Sequence, residues 1–536
     1  MSPRLARPWI GLLICALVPP AMGGVAMLLD QDANWDLRNY HWYNAHAFLT
    51  GRFGFDIAPA HTATFYNPLL DVPFYLLAQA VPARTAGFAL GFVQGLNAAP
   101  LYLLARRLAP AAAGWGRGAG GAILAVAGLA GGGHFGLIGT TFYDNVLSIL
   151  VLGALALALA ADARSGVRRG VHFALAGLAI GAATGLKLPV AVFAFGLGLA
   201  ALAAHGPVRT RLIDAAVLAA AGVAGLAATG GFWMARLWQA FANPIFPYFN
   251  ALFGSPMALP ASYRDTRFVP ESVLDALTLP LRAVVDPRAV GEIDFTDARI
   301  AAATIVGLIT LAMALLGRLS ALGDAERGAL RFAGVFAAVS LAAWLALFAI
   351  YRYVVALELL APVLIAACVA AWPMPRRAQA VVLASVLALL VVTTRGGTWG
   401  RVPWNPDMGS ASFVEVAAPA LPDPGNTLVL ISGFAPVAWV IPAFAPEAAF
   451  VRIQGYSNHP DDGDAGLARQ VAQRIRGHAG ALHLLTGRAD LALAGDMLAR
   501  YGLAADAASC TEVRSNLAVA EVDLVVLCPV RRIVRP

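Results

Sequence analysis

The stretch LLDQDANWDLRNYHWYNAHAFLTGR, residues 28–52, ends an apolar run in a dense set of acids, amides, aromatics and histidines. Asp32, Asp36, Asn39, Tyr40, His41, Tyr43 and Asn44 all fall within it. A carboxylate flanked by aromatic rings and amides suits binding of a hydroxyl-rich molecule and removal of a proton from it. If residues 37–49 are helical, Asp36, Tyr40, Tyr43 and Ala47 share one side, and Leu37, His41, Asn44 and Phe48 line the next. Asp36 is the preferred acid and Asp32 the alternative. The competing explanation is structural: Asp36 caps the helix, while Trp35, Trp42 and Tyr43 form an interfacial aromatic belt.

Further polar groups interrupt or border apolar runs, where ionisable side chains are costly and each calls for a role. Asp144 and Asn145 follow GTTFY, and Lys187, in TGLKLP, is the single lysine of the chain. A compact ammonium there could hold a lipid phosphate; snorkelling is the plainer alternative. Arg352 and Tyr353 lie in YRYVVALELL, with Glu358 about a turn deeper. Arg352 either bridges to Glu358 or binds an anion. Arg395 and Arg401, in TTRGGTWGRVPW, read as anion contacts or interfacial anchors. Asp144 could equally cap the helix that follows it.

Such residues must be positioned by membrane helices. The 536 residues are 59% hydrophobic and 13% charged, against about 25% charged in soluble domains. This is the composition of an α-helical polytopic membrane protein. Spans of about 20 apolar residues are expected at 9–29, 85–105, 118–139, 145–161, 171–186, 189–204, 212–233, 298–317, 332–350, 354–373 and 378–394, eleven in all. The net charge of +7 comes from short arginine clusters between these runs rather than from one basic face, so a nucleic-acid partner is excluded.

Arg4 and Arg7, Arg106, Arg107 and Arg117, Arg164, Arg168 and Arg169, Arg209 and Arg211, Arg318, Arg327 and Arg331, and Arg376 and Arg377 all fall on one side of the membrane. The positive-inside rule makes that side cytoplasmic, which puts the N-terminus inside and the C-terminal region outside. Arg4 and Arg7 before an apolar run and PPAMGG also fit a cleavable signal peptide; the run continues to Leu29, which favours a retained span. The expected organisation is a transmembrane domain at 1–394, with large outer loops at 30–84 and 234–297, and an extracytoplasmic α/β domain at 395–536. Strand-like TLVLIS, AFVRI, ALHLLT and VDLVVLC alternate there with helical GLARQVAQRIRG and LALAGDMLARYG. No glycine-rich phosphate fingerprint follows these strands. Cys510 and Cys528 are expected to pair if the region is exported.

This layout resembles the GT-C superfamily of integral-membrane glycosyltransferases. The match rests on DANWDLRNYHWYN in a long first loop, on NPIFPYFN, on the YRY turn and on a soluble C-terminal domain. The resemblance implies a polyprenyl-phosphate-linked sugar as donor and a cell-envelope glycan, lipid or protein as acceptor, in a bacterial-type inner membrane. It assigns the essential first-loop acid to Asp36 or Asp32, and the phosphate contacts to Lys187, Arg352 and Arg395. No cofactor is required on this reading. Some members use a divalent metal, but His41, His46 and His61 lack ligand spacing. A single displacement at the anomeric carbon would invert configuration. The alternatives are a lipid-linked glycan polymerase or ligase, a transporter or flippase, and a non-catalytic scaffold; transporters commonly show mirrored halves, which this sequence lacks.

Overall fold

The computed structural model describes residues 8–109, 117–162, 164–204, 206–319, 322–404, 412–463 and 465–533. Arg4 and Arg7 lie outside them. The chain is mostly helical with a C-terminal sheet domain. Among the described residues eight helices are long and apolar enough to cross a membrane: Trp9–Leu28, Ala83–Leu108, Asp144–Ala161, Gly166–Leu186, Val208–Phe241, Asp324–Leu347, Tyr351–Ala370 and Arg376–Thr393. The other three expected spans are shorter apolar helices, Gly118–Leu129, Leu188–Leu202 and Arg299–Leu315. The run at 118–139 stops early for a local reason. Three successive glycines, Gly131 to Gly133, are poor helix formers, and a five-residue helix, Gly132–Gly136, starts afresh after them.

The chain divides into two compact units. The first comprises Met1–Leu29, Phe88–Gly231 and Asp265–Trp399 and holds most of the long apolar helices. Val355–Ala370 is its innermost helix, buried from Val355 to Val369. ALELLAPVLIAACVA has no polar face to give to solvent, and a helix apolar all round belongs in the interior. Gly166–Leu186 and Val208–Leu226 approach closely because Gly177, Gly181 and Gly185 fall at four-residue spacing. A Cβ on Gly181 would sit 1.9 Å from the Gly222 carbonyl oxygen, so only glycine permits this backbone contact.

The second unit comprises Asp30–Gly87, Phe232–Arg264 and Gly400–Pro536. Its seven-stranded sheet runs Val416–Ala417, Thr511–Ser515, Val525–Arg532, Ala481–Gly487, Thr427–Ile431, Ala449–Arg452, with Leu503–Ala505 also on Val525–Arg532. Thr427–Ile431 is parallel to both its neighbours. It is buried along its whole length, as expected of a central strand written TLVLI. Cys510 and Cys528 are joined by a disulfide.

The first loop is built into this sheet. Ile57 bridges in parallel to Val451 at the sheet edge; its N–H donates to Phe450 O (2.9 Å) and its carbonyl accepts from Arg452 N (2.9 Å). A buried ion pair fixes the attachment. Asp56 accepts from Arg52 Nε (2.6 Å), Tyr43 Oη (2.8 Å) and the Phe450 N–H (2.9 Å). Arg52 donates onward to the carbonyls of Pro446 and Ala448. Burial, reinforced by the Asp56 charge, pushes the Tyr43 phenol well above its ordinary range.

Candidate functional site

The residues singled out in the opening stretch form two consecutive helical pieces, a π-helical turn Leu37–His41 and the α-helix Trp42–Leu49. Single π turns in α-helices are frequent at functional sites. The cap of this helix is Asn34, whose Oδ1 accepts the Leu37 N–H at 2.8 Å. Asn34 is in turn held by Asp32 Oδ1, which accepts its backbone N–H (3.1 Å) and its side-chain Nδ2 (2.7 Å). Asp32 is fully buried and lies in a short antiparallel pair opposite Arg401. Its place is that of a loop organiser.

Asp36 makes no side-chain capping bond. It is 7% exposed and accepts from Tyr40 Oη at 3.1 Å. The ring of Tyr40 meets Tyr66 edge-on at 5.0 Å. Tyr66 stacks on Tyr248 at 6.1 Å, and their hydroxyls are hydrogen-bonded. Tyr66 and Tyr248 are both half-buried. An acid, a tyrosine that orients it and two partly accessible phenol rings are thus assembled from the first loop and from NPIFPYFN. Sequence reasoning quoted that second motif but did not place Tyr248 beside the acid.

The other first-loop candidates divert elsewhere. His41 Nδ1 pairs with Asp71 at 2.6 Å. Asn39 Nδ2 and Asn44 Nδ2 donate to the carbonyls of Ala60 (3.3 Å) and Ala63 (2.8 Å). Tyr43 goes to Asp56, as above. The expected face Asp36, Tyr40, Tyr43, Ala47 therefore holds at its first pair and parts at Tyr43, because a π turn spends an extra residue. Burial lowers His46 to about 4, with the Arg52 charge acting in the same direction.

In the other unit, Lys187 Nζ reaches both Asp144 oxygens (2.9 and 3.0 Å) and the Phe142 carbonyl (2.9 Å). It sits 5.3 Å from the Tyr353 ring centroid. The Arg352 guanidinium lies 4.9 Å from the same ring and 4.6 Å from that of Phe142. Asp144, Lys187, Arg352 and Tyr353, chosen separately along the sequence, form one cluster. The Lys187 and Asp144 side chains are 14% and 7% exposed.

Glu358 stands apart from this cluster and is fully buried. Its oxygens accept the N–H groups of Gly133 (3.1 Å) and His134 (2.8 Å). Asp297 accepts the Gly132 N–H (2.8 Å) and forms a buried pair with Arg299, which also holds the carbonyls of Ala127 and Ala130. Together they clasp the break in the helix run. Asn145 is an interior tie, donating to the His134 carbonyl at 3.1 Å. Arg395 is exposed and pairs through its backbone with Thr296. Arg401 donates to the Asp30 carbonyl at 2.8 Å; burial lowers it, opposed by the charges of Asp32 and Asp30. Among the described residues no group of three or more His, Cys, Asp or Glu side chains is arranged to hold a metal ion.

No family model matches the chain, and no curated protein matches it. Among solved structures it is similar to the apo crystal structure of the Archaeoglobus fulgidus oligosaccharyltransferase. That likeness has 14% identity and a TM-score of 0.44, and it covers 93% of this chain and 72% of that one.

Proposed function

We propose that the chain is a membrane glycosyltransferase that moves a sugar from a polyprenyl-phosphate-linked donor to an acceptor hydroxyl on the outer side of the membrane. The observation that carries this reading is Asp36. It is freed from capping by Asn34 and oriented by Tyr40, in a helical turn of irregular pitch. A buried acid that does not cap its helix, beside aromatic rings that can stack on a sugar, is fitted for proton abstraction.

The reaction balances as one displacement. The acceptor hydroxyl gives its proton to the Asp36 carboxylate, and its oxygen attacks the anomeric carbon. The bond from that carbon to the phosphate oxygen breaks, and the polyprenyl phosphate leaves with the electron pair. Inversion of the anomeric centre follows. In the other unit, Arg352 and Lys187 are the cations offered to a lipid phosphate. Lys187 is paired to Asp144 and shares the Tyr353 ring with Arg352. The acid and the cations belong to different units, and each has its own test.

The donor is identified by mass spectrometry of lipid-linked sugars in a strain lacking the protein. Accumulation of one polyprenyl-phosphate sugar, with loss of that sugar from a surface glycan, supports the reading. Unchanged lipid-linked sugars and unchanged glycans contradict it.

A further inference from the structure

The helix Val273–Val285 belongs to the first unit. It starts after Ser272, whose side-chain oxygen accepts the Asp275 N–H at 3.1 Å. At about 100° per residue its circumference divides into three sectors. Leu279, Pro280 and Ala283 are buried in the first. Asp275 and Arg282 form an ion pair along the second. Val273, Leu274, Leu277, Leu281 and Val285 occupy the third, an arc of roughly 120°, and each is 46–84% exposed. Five large apolar side chains in one exposed stripe make a patch of the kind that water-facing surfaces avoid.

The chain that follows fixes the level at which this stripe lies. The Val290 carbonyl, soon after the helix ends, accepts the Tyr351 N–H at 2.7 Å. Tyr351 is the first residue of the membrane-crossing helix Tyr351–Ala370. Thr296 pairs through its backbone with Arg395, just past the end of the membrane-crossing helix Arg376–Thr393. Arg299 then opens the apolar helix Arg299–Leu315, which is also a packing neighbour of Val273–Val285. One end of each of three apolar helices therefore meets the segment 290–299. The five residues from Val285 to Val290 reach at most about 18 Å when fully extended, and Pro287–Ala289 coils in a helical turn. The exposed stripe is thus held close to the plane where those helices leave the bilayer.

We propose that Val273–Val285 is a membrane-surface anchor whose exposed stripe is covered by lipid. An interfacial helix sinks its apolar face roughly 5–10 Å into the boundary between headgroups and acyl chains. The stripe takes that place here, the buried sector meets the protein, and the Asp275–Arg282 edge meets headgroups and water. The helix carries one acid and one base, paired with each other, so it has no net charge for anionic headgroups to attract. Its hold on the bilayer is apolar burial and needs no particular headgroup. The inference rests on the membrane helices and not on the transfer reaction, and it uses none of the residues of the proposed site.

The test places a nitroxide on the full chain in phosphatidylcholine nanodiscs, at Leu277→Cys, at Leu281→Cys and, on the polar edge, at Arg282→Cys. Each is made in a Cys15→Ser background; Cys368 is buried and Cys510 is bonded to Cys528, so neither competes for the label. All three labelled positions are exposed, so the fold does not depend on them. Power-saturation EPR reads collisions with oxygen, which concentrates in lipid, and with a water-soluble nickel chelate. Oxygen should dominate at Leu277 and Leu281, and nickel at Arg282. Phosphatidylglycerol in place of phosphatidylcholine should leave these ratios unchanged. Leu274→Asp combined with Val285→Asp should lower the oxygen-to-nickel ratio at the Leu281 label severalfold. Nickel in excess at Leu277 and Leu281 would put the stripe in water and overturn the proposal. Exclusion of both reagents from those two sites would mean that protein covers the stripe, a second copy or another segment, and would overturn it equally. So would a ratio that follows phosphatidylglycerol content, or one that the double aspartate variant leaves unmoved.

Discussion

Tyr40 donates its hydroxyl to Asp36 across one turn, at 3.1 Å, while the backbone that Asp36 would have capped is served by Asn34. The two facts together separate Asp36 from the capping task that its position invites. They also divide labour between the two first-loop acids, because Asp32 is the residue that holds Asn34.

That division makes Asp32→Asn a stability variant. Asparagine retains one acceptor oxygen but loses the charge beside Arg401 and Asn34. The expected result is a lower melting temperature, equivalent to about 1–3 kcal/mol, with turnover of the folded fraction largely kept. Differential scanning fluorimetry alongside a transfer assay on the same preparation checks it.

Lys187 and Asp144 form a mostly buried pair, so Lys187→Ala leaves a carboxylate without its cation. Such losses cost about 3–5 kcal/mol, and abundance should fall with activity. Asp144→Asn combined with Lys187→Gln should recover much of the abundance. Arg352→Ala should behave differently, with near-normal abundance and weaker donor use, read as a raised donor KM. If Lys187→Ala protein is as stable as wild type, the pair is not structural.

Gly131 has no room for a side chain, because a Cβ there would lie 1.9 Å from Glu358 Oε1. Gly131→Ala should destabilise by about 1–3 kcal/mol through overpacking. Pairing it with Glu358→Ala should relieve the clash but leave the Gly133 and His134 N–H groups unserved. Thermal unfolding of the three variants shows whether the effects are non-additive, as contact requires.

Cys510 and Cys528 close a separation of 18 residues, and removal of such a link costs roughly 3 kcal/mol. Both thiols should resist alkylation until a reductant is added, and Cys510→Ser should lower the melting temperature. Ready labelling without reductant contradicts the bond.

His46 is lowered from 6.5 to about 4 in the folded chain, mainly by burial. Below pH 6.5 the unfolded chain takes up a proton that the folded chain refuses, so stability falls as pH drops towards about 4. His46→Gln should flatten this part of the curve. Melting temperature against pH, measured for both proteins, gives the comparison.

Eleven helical segments were legible because apolar runs and glycine or proline breaks are local signals. The three that proved short illustrate what such signals miss. The segment at 118–139 breaks at its own run Gly131 to Gly133, and the groups that hold the broken ends, Glu358, Asp297 and Arg299, come from far along the chain. Asp36 and Tyr40 were legible as a pair because four-residue spacing is helical arithmetic. Tyr248 was not, since its meeting with Tyr66 spans 182 residues. Asp144, Lys187 and Arg352 each stood out as charges bordering apolar runs, but their convergence is a property of helix packing. The docking of the first loop on the sheet through Ile57 and Asp56 left no mark beyond an unremarkable RFGFDI.

The central claim is that Asp36 takes the acceptor's proton, and Asp36→Asn tests it most directly. Asparagine preserves the size of the side chain and an acceptor for Tyr40, and it removes the charge and the basicity. The measurement is the rate of sugar transfer by purified protein from the polyprenyl-phosphate sugar identified in the deletion strain, with donor binding and melting temperature recorded on the same sample. The account predicts a folded protein that binds donor and transfers about 100-fold more slowly or worse. Transfer within a few-fold of wild type by folded Asp36→Asn protein would contradict it.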